Sequence, residues 1–143
     1  MRLNQRYVED TTKSIAQAFG DDLTWRWEDN HKAMLSEFAR NKKDKTLSVL
    51  REQFDHEWNR KTIKKAPKSL FDQLGDLTKL SKEQILFTSP AFGDQPAMVA
   101  IWWPWGHGAT VSLRLTPIKE TYVMPEQPFK KDSFFTVVRK LFS

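Results

Sequence analysis

The stretch ATVSLRLTPI, Ala109 to Ile118, constrains this chain more than any other. Val111, Leu113 and Leu115 alternate with Thr110, Ser112, Arg114 and Thr116. A period of two sends successive side chains to opposite sides, the pattern of a half-buried strand. AMVAIWWP precedes it, and Pro104-Trp105-Gly106-His107-Gly108 lies between them. A five-residue loop holding two glycines suits a hairpin.

A turn symmetrical about Gly106 sets Trp103 opposite Ala109, Trp102 opposite Thr110, Ile101 opposite Val111 and Ala100 opposite Ser112. In that register Val99, Ile101, Trp103, Val111, Leu113 and Leu115 form the core face. Met98, Ala100, Trp102, Thr110, Ser112 and Arg114 form a mixed second face. Trp102 and Arg114 then lie within diagonal stacking reach. QILFTSP reads as a further short strand, and Tyr122 to Met124 continues the strand or adds another.

The first half carries a different period. Val8, Thr12, Ile15 and Phe19 mark one helix face, stopped by Gly20. LTWRWED reads as a brief strand or a turn. Asp29 is placed to cap a second helix that buries Met34, Leu35 and Phe38, with RNKKDK as the loop after it. Leu47, Leu50, Phe54 and Trp58 predict a third. Pro67 breaks the chain before a short helix over SLFDQLGDL, and LTKLSKEQ holds one more turn. At the end, Asp132 or Ser133 caps a helix carrying Phe134, Val137, Val138, Leu141 and Phe142.

The expected architecture is α+β. An N-terminal helical half of three to five helices, about residues 1–82, packs on an antiparallel three- to four-stranded meander. That meander and a C-terminal helix occupy about 84–143. A chain of 143 residues with no repeat and no long linker suits one domain, 1–143.

Several chemistries are excluded or disfavoured. The chain has no cysteine, hence no disulfide, thiolate metal site or cysteine nucleophile. No phosphate-binding glycine loop, dinucleotide fingerprint, nucleophile elbow or calcium loop occurs, and no histidine pair has zinc spacing. We therefore expect no cofactor and no metal. The start lacks the apolar core of a signal peptide, and the longest apolar run, Ala97 to Trp105, is far too short to span a bilayer. The expectation is a cytoplasmic protein without a membrane partner, its oligomeric state left open.

The net charge is +5 and the isoelectric point about 9.5. The charge is uneven: Arg60 to Lys68 holds Arg60, Lys61, Lys64, Lys65 and Lys68 and no acid. Arg40, Lys42, Lys43 and Lys45 form a second cluster around Asp44. Such runs suit phosphate contact, which is salt-dependent because counterions are released. They also serve as a solvated surface.

Among the histidines, a helical reading gives His56 an ion-pair ladder with Glu52 and Arg60, or a general-base role. His107 sits between glycines in the hairpin loop, and His31 at an expected helix start.

Three function classes follow. The first is a small non-enzymatic accessory or regulatory protein of bacterial type. It would bind DNA or RNA through Arg60, Lys61, Lys64, Lys65 and Lys68, with Trp102, Trp105 and Arg114 as stacking groups. The second is a protein–protein adaptor or assembly component, anchored on an acidic partner by Trp105 and His107. The third is a metal-independent RNase-like hydrolase using His107 or His56. No catalytic residue is assigned.

Overall fold

The computed structural model describes residues 3–125. The expected C-terminal helix over 132–142 lies outside the described residues.

Helix α1 spans Gln5–Gln17. The Asn4 side chain caps it by accepting the Tyr7 N–H at 2.9 Å, and Val8, Thr12 and Ile15 face inward. After a 3₁₀ turn come strand β1 (Arg26–Glu28) and strand β2 (Ala33–Ala39). Helix α2 spans Lys43–Gln53, strand β3 is His56–Trp58 and helix α3 is Lys68–Leu74. Strands β4 (Ile85–Ser89), β5 (Met98–Pro104) and β6 (Thr110–Pro117) complete the sheet. The spatial order is β1-β2-β6-β5-β4-β3, and every pairing is antiparallel.

This corrects the expected architecture. The sheet has six strands, not three or four, and β1, β2 and β3 come from the half that reads as helical. The segment around Met34, Leu35 and Phe38 is β2, not a helix. It lies between β1 and β6, and its buried residues Leu35, Ser36 and Phe38 point to both faces. Burial on two sides erases the alternation and leaves spacings that mimic a helix. RNKKDK is not a loop but a 3₁₀ turn running into α2.

The third helix ends earlier than its apolar period implies. Leu47 and Leu50 lie on α2, but Phe54 is extended and Trp58 belongs to β3. Pairing of His56, Glu57 and Trp58 with β4 overrides the local period. The ladder of His56 with Glu52 and Arg60 therefore does not form. Tyr122 to Met124 is irregular, not a strand.

The β5–β6 register also differs. Trp103 pairs with Ser112, Trp102 with Leu113 and Ile101 with Arg114. Trp103 is thus three positions from the partner that a turn centred on Gly106 gives it. An odd slip exchanges the faces of one strand relative to the other. The real turn is off-centre: the Trp105 N–H bonds the Thr110 carbonyl, the Gly108 N–H bonds the Trp105 carbonyl, and Gly108 has φ +81°.

The sheet divides two cores. On one face α1 and α2 close over Phe38, Phe87, Met98, Trp102, Val111, Leu113 and Leu115. On the other, Ile63, Leu70, Leu74, Leu80 and Tyr122 cover Trp58, Leu86, Val99 and Ile101. This second core draws on β3, β4 and β5. The same face over β1, β2 and β6 is instead a groove of polar side chains.

Candidate nucleic-acid interface

The basic stretch is an ordered turn. Asn59 follows β3, and its Oδ1 accepts the N–H groups of Lys61 at 2.8 Å and Thr62 at 3.0 Å. The Thr62 hydroxyl accepts the Asn59 N–H at 2.9 Å. Ile63, 3% exposed, pins the next 3₁₀ turn into the second core. This fixes the backbone and leaves Arg60, Lys61, Lys64 and Lys65 exposed. None of these four forms an ion pair among the described residues. Lys68 differs, since it faces Asp72 at 3.4 Å. The second basic cluster is largely compensated: Lys45 pairs with Asp22, Lys42 donates to the Asp22 carbonyl and Arg40 faces Glu83.

The tryptophans separate by register. Trp102 is 1% exposed and packs on Phe38 at 5.8 Å between ring centroids. It is a core residue and lies on the opposite face from Arg114, so the expected Trp102–Arg114 stack does not exist. Trp103 shares the face of Arg114 and is 38% exposed, and Trp105 is 41% exposed. The Trp105 indole N–H donates to Ser112 Oγ at 2.7 Å, which fixes the ring while leaving part of it uncovered. His107 meets Trp105 edge-on at 5.4 Å, and its Nδ1 accepts the Ala109 N–H.

These rings border the groove, about 670 Å³, whose other walls include Arg26, Glu28, His31, Leu35, Glu37, Ser112 and Arg114. Its charges are paired. Glu28 takes Arg114 Nε at 2.6 Å and Nη2 at 3.0 Å, with His31 Nδ1 at 2.7 Å from the same carboxylate. Arg26 binds Glu37. The Arg114 hydrogen bonds, more than any other influence, hold the Glu28 carboxyl below the usual range. Arg114 is therefore anchored through two of its nitrogens, a fixed plane in the groove floor.

The turn and the rings share one end of the sheet. The row Trp58, Leu86, Ile101, Arg114, Leu35 crosses it. One step of the pleat further, Arg60 follows β3 where Trp103 stands on β5. Two strand spacings, roughly 10 Å, separate those strands.

His56 is placed elsewhere. It lies against the rings of Trp58 and Tyr122, with Nδ1 at 2.7 Å from the Tyr122 hydroxyl. Among the described residues no group of three or more His, Asp or Glu is arranged to hold a metal ion. No described helix is long and apolar enough to cross a membrane. Sequence reasoning missed Trp103, Glu28 and Asn59. Only Asn59 carries a local signal, an Asx turn opening a basic run.

No family model, curated protein or solved structure matches the chain.

Proposed function

We propose that this protein binds single-stranded nucleic acid and performs no chemistry on it. Arg60, Lys61, Lys64 and Lys65 hold phosphates, and Trp103 and Trp105 stack bases beside Arg114. The observation that carries the reading is the anchored turn, with four exposed cations and, among the described residues, no carboxylate paired with them. A cation already paired with an acid gains little from a phosphate, whereas an unpaired one releases the counterions of its new partner. The exposed indoles give the reading a second component, since base–aromatic stacking is worth about 1–3 kcal/mol per base.

The test is a gel shift with single-stranded and duplex DNA and RNA on wild type, a Lys61→Ala/Lys64→Ala/Lys65→Ala variant and Trp103→Ala. The reading expects single strands to bind best, the triple variant to lose binding and Trp103→Ala to weaken it. Failure of all four nucleic acids would overturn it. The second reading, an adaptor for an acidic protein, rests on Trp103, Trp105 and His107 lying together at the hairpin tip, since tryptophan is prominent among interface anchors. Capture of a protein partner that Trp105→Ala abolishes, with no nucleic acid bound, would establish it instead.

A further inference from the structure

A second, smaller hollow of about 260 Å³ opens at the same end of the sheet. Arg40, Lys43, Asn59, Lys82, Glu57, Glu83 and Trp102 are among the residues around it. Most of its uncommitted hydrogen-bonding groups are donors. The Trp102 indole N–H has no hydrogen-bond partner among the described residues, although the residue is only 1% exposed. It is not sealed in the core either, as the unpartnered indole N–H of Trp25 is. The hollow is the described cavity that Trp102 lines.

Asn59 spends Oδ1 on two backbone N–H groups, so its amide has only N–H left to offer. Lys43 and Lys82 form no ion pair among the described residues. Of the two carboxylates, Glu57 is committed and Glu83 only loosely paired. Glu57 takes Arg51 at 2.9 and 3.2 Å, and Glu83 faces Arg40 at 3.6 Å. An indole N–H that no protein group takes is a donor left for whatever enters the hollow. A surplus of donors and positive charge selects an oxyanion.

We propose that this hollow is a phosphate site. The Trp102 N–H, the Asn59 amide, Lys43 and Lys82 hold the oxygens, and Arg40 turns from Glu83 toward the ligand. The site stands on its own geometry. If the nucleic-acid reading also holds, the hollow takes one phosphate of that strand.

The experiment is a titration of ¹⁵N-labelled full-length protein with inorganic phosphate in phosphate-free buffer, followed at the indole N–H resonances. The Trp102 signal is identified by its contacts with the Phe38 ring. It is expected to move saturably while the other five indoles hold. Lys43→Ala/Lys82→Ala should weaken binding about tenfold or more, as loss of charge-assisted hydrogen bonds implies. Glu83→Gln should strengthen it by removing the competitor for Arg40. All three substitutions lie on accessible side chains, so folding is not at stake.

A Trp102 signal that does not move, or equal affinity in the double variant, overturns the proposal. Two pentanucleotides, one with a 5′-phosphate and one with a 5′-hydroxyl, then identify the source. Response to the first alone supports a terminal phosphate, and equal response supports a backbone phosphate. Response to inorganic phosphate but to neither oligonucleotide supports a free small phosphate, and counts against the nucleic-acid reading while leaving the site standing.

Discussion

Four side chains behind the second core form a chain of hydrogen bonds that begins at an obligate donor. The Trp58 indole N–H lies 2.8 Å from Thr88 Oγ1, Thr88 Oγ1 lies 2.8 Å from the Tyr122 hydroxyl, and that hydroxyl lies 2.7 Å from His56 Nδ1. An indole can only donate, so Thr88 accepts from Trp58. The Thr88 proton is then available to the Tyr122 hydroxyl, which also meets His56 Nδ1. Thr88→Val keeps the shape and removes the acceptor. The Trp58 N–H is left buried and unpaired, which costs about 1–3 kcal/mol. Tyr122→Phe leaves the Trp58–Thr88 bond intact, so the cost is about 0.5–1.5 kcal/mol. Once Thr88 is gone, Tyr122 has lost one partner, and the double variant should fall short of additivity by roughly 0.5–1 kcal/mol. Urea unfolding reads this as shifts of midpoint at constant slope. A Thr88→Val cost no larger than that of Tyr122→Phe, or strict additivity, would refute the network.

Other consequences are testable. Burial raises the Tyr122 pKa above its ordinary 10.0. Above pH 10 the unfolded chain therefore loses this proton first, and stability should fall with rising pH by up to about 1.4 kcal/mol per unit, a slope absent in Tyr122→Phe. The Glu28 carboxyl is lowered from its ordinary 4.5 by its bonds to Arg114. Its stabilisation is thus present above that value and lost as pH falls through the folded pKa. Glu28→Gln should cost about 1–2 kcal/mol at pH 7 and little in strong acid. The β5–β6 register predicts that Trp102→Ala costs about 3–5 kcal/mol while Trp103→Ala costs under about 1 kcal/mol. Thermal or urea unfolding of the two variants would reverse that order if the turn were centred on Gly106.

Legibility in the sequence followed local information. Helix α1 was readable because its apolar face and its glycine stop are local to the segment. Strand β6 was readable from its alternation. Helix α3 was readable from Pro67 and its short apolar face, and it ends where Gly75 takes φ +56°. Strand β2 was not, because its two neighbours bury residues on both of its faces and erase its period. Strand β3 was hidden because Trp58 continues the spacing of α2, and only pairing with β4 removes it from that helix. The hairpin shows how far one residue count carries. Both strands were correct, yet an odd slip sent Trp102 into the core and brought Trp103 to Arg114. The basic turn could be seen in the sequence as a charge run. That Lys68 alone of its five cations has an ion-pair partner among the described residues could not, because Asp72 meets Lys68 only once α3 forms.

The central claim is that the anchored turn contacts phosphates, and the salt dependence of binding tests it most directly. Affinity for a single-stranded oligonucleotide would be measured across a salt series, for wild type and for Lys61→Ala/Lys64→Ala/Lys65→Ala. Each phosphate contact on a single strand contributes about 0.7 to the slope of log affinity against log salt. Three lost contacts should flatten the slope by about 2. An unchanged slope in the variant would contradict the account, and so would binding that ignores salt.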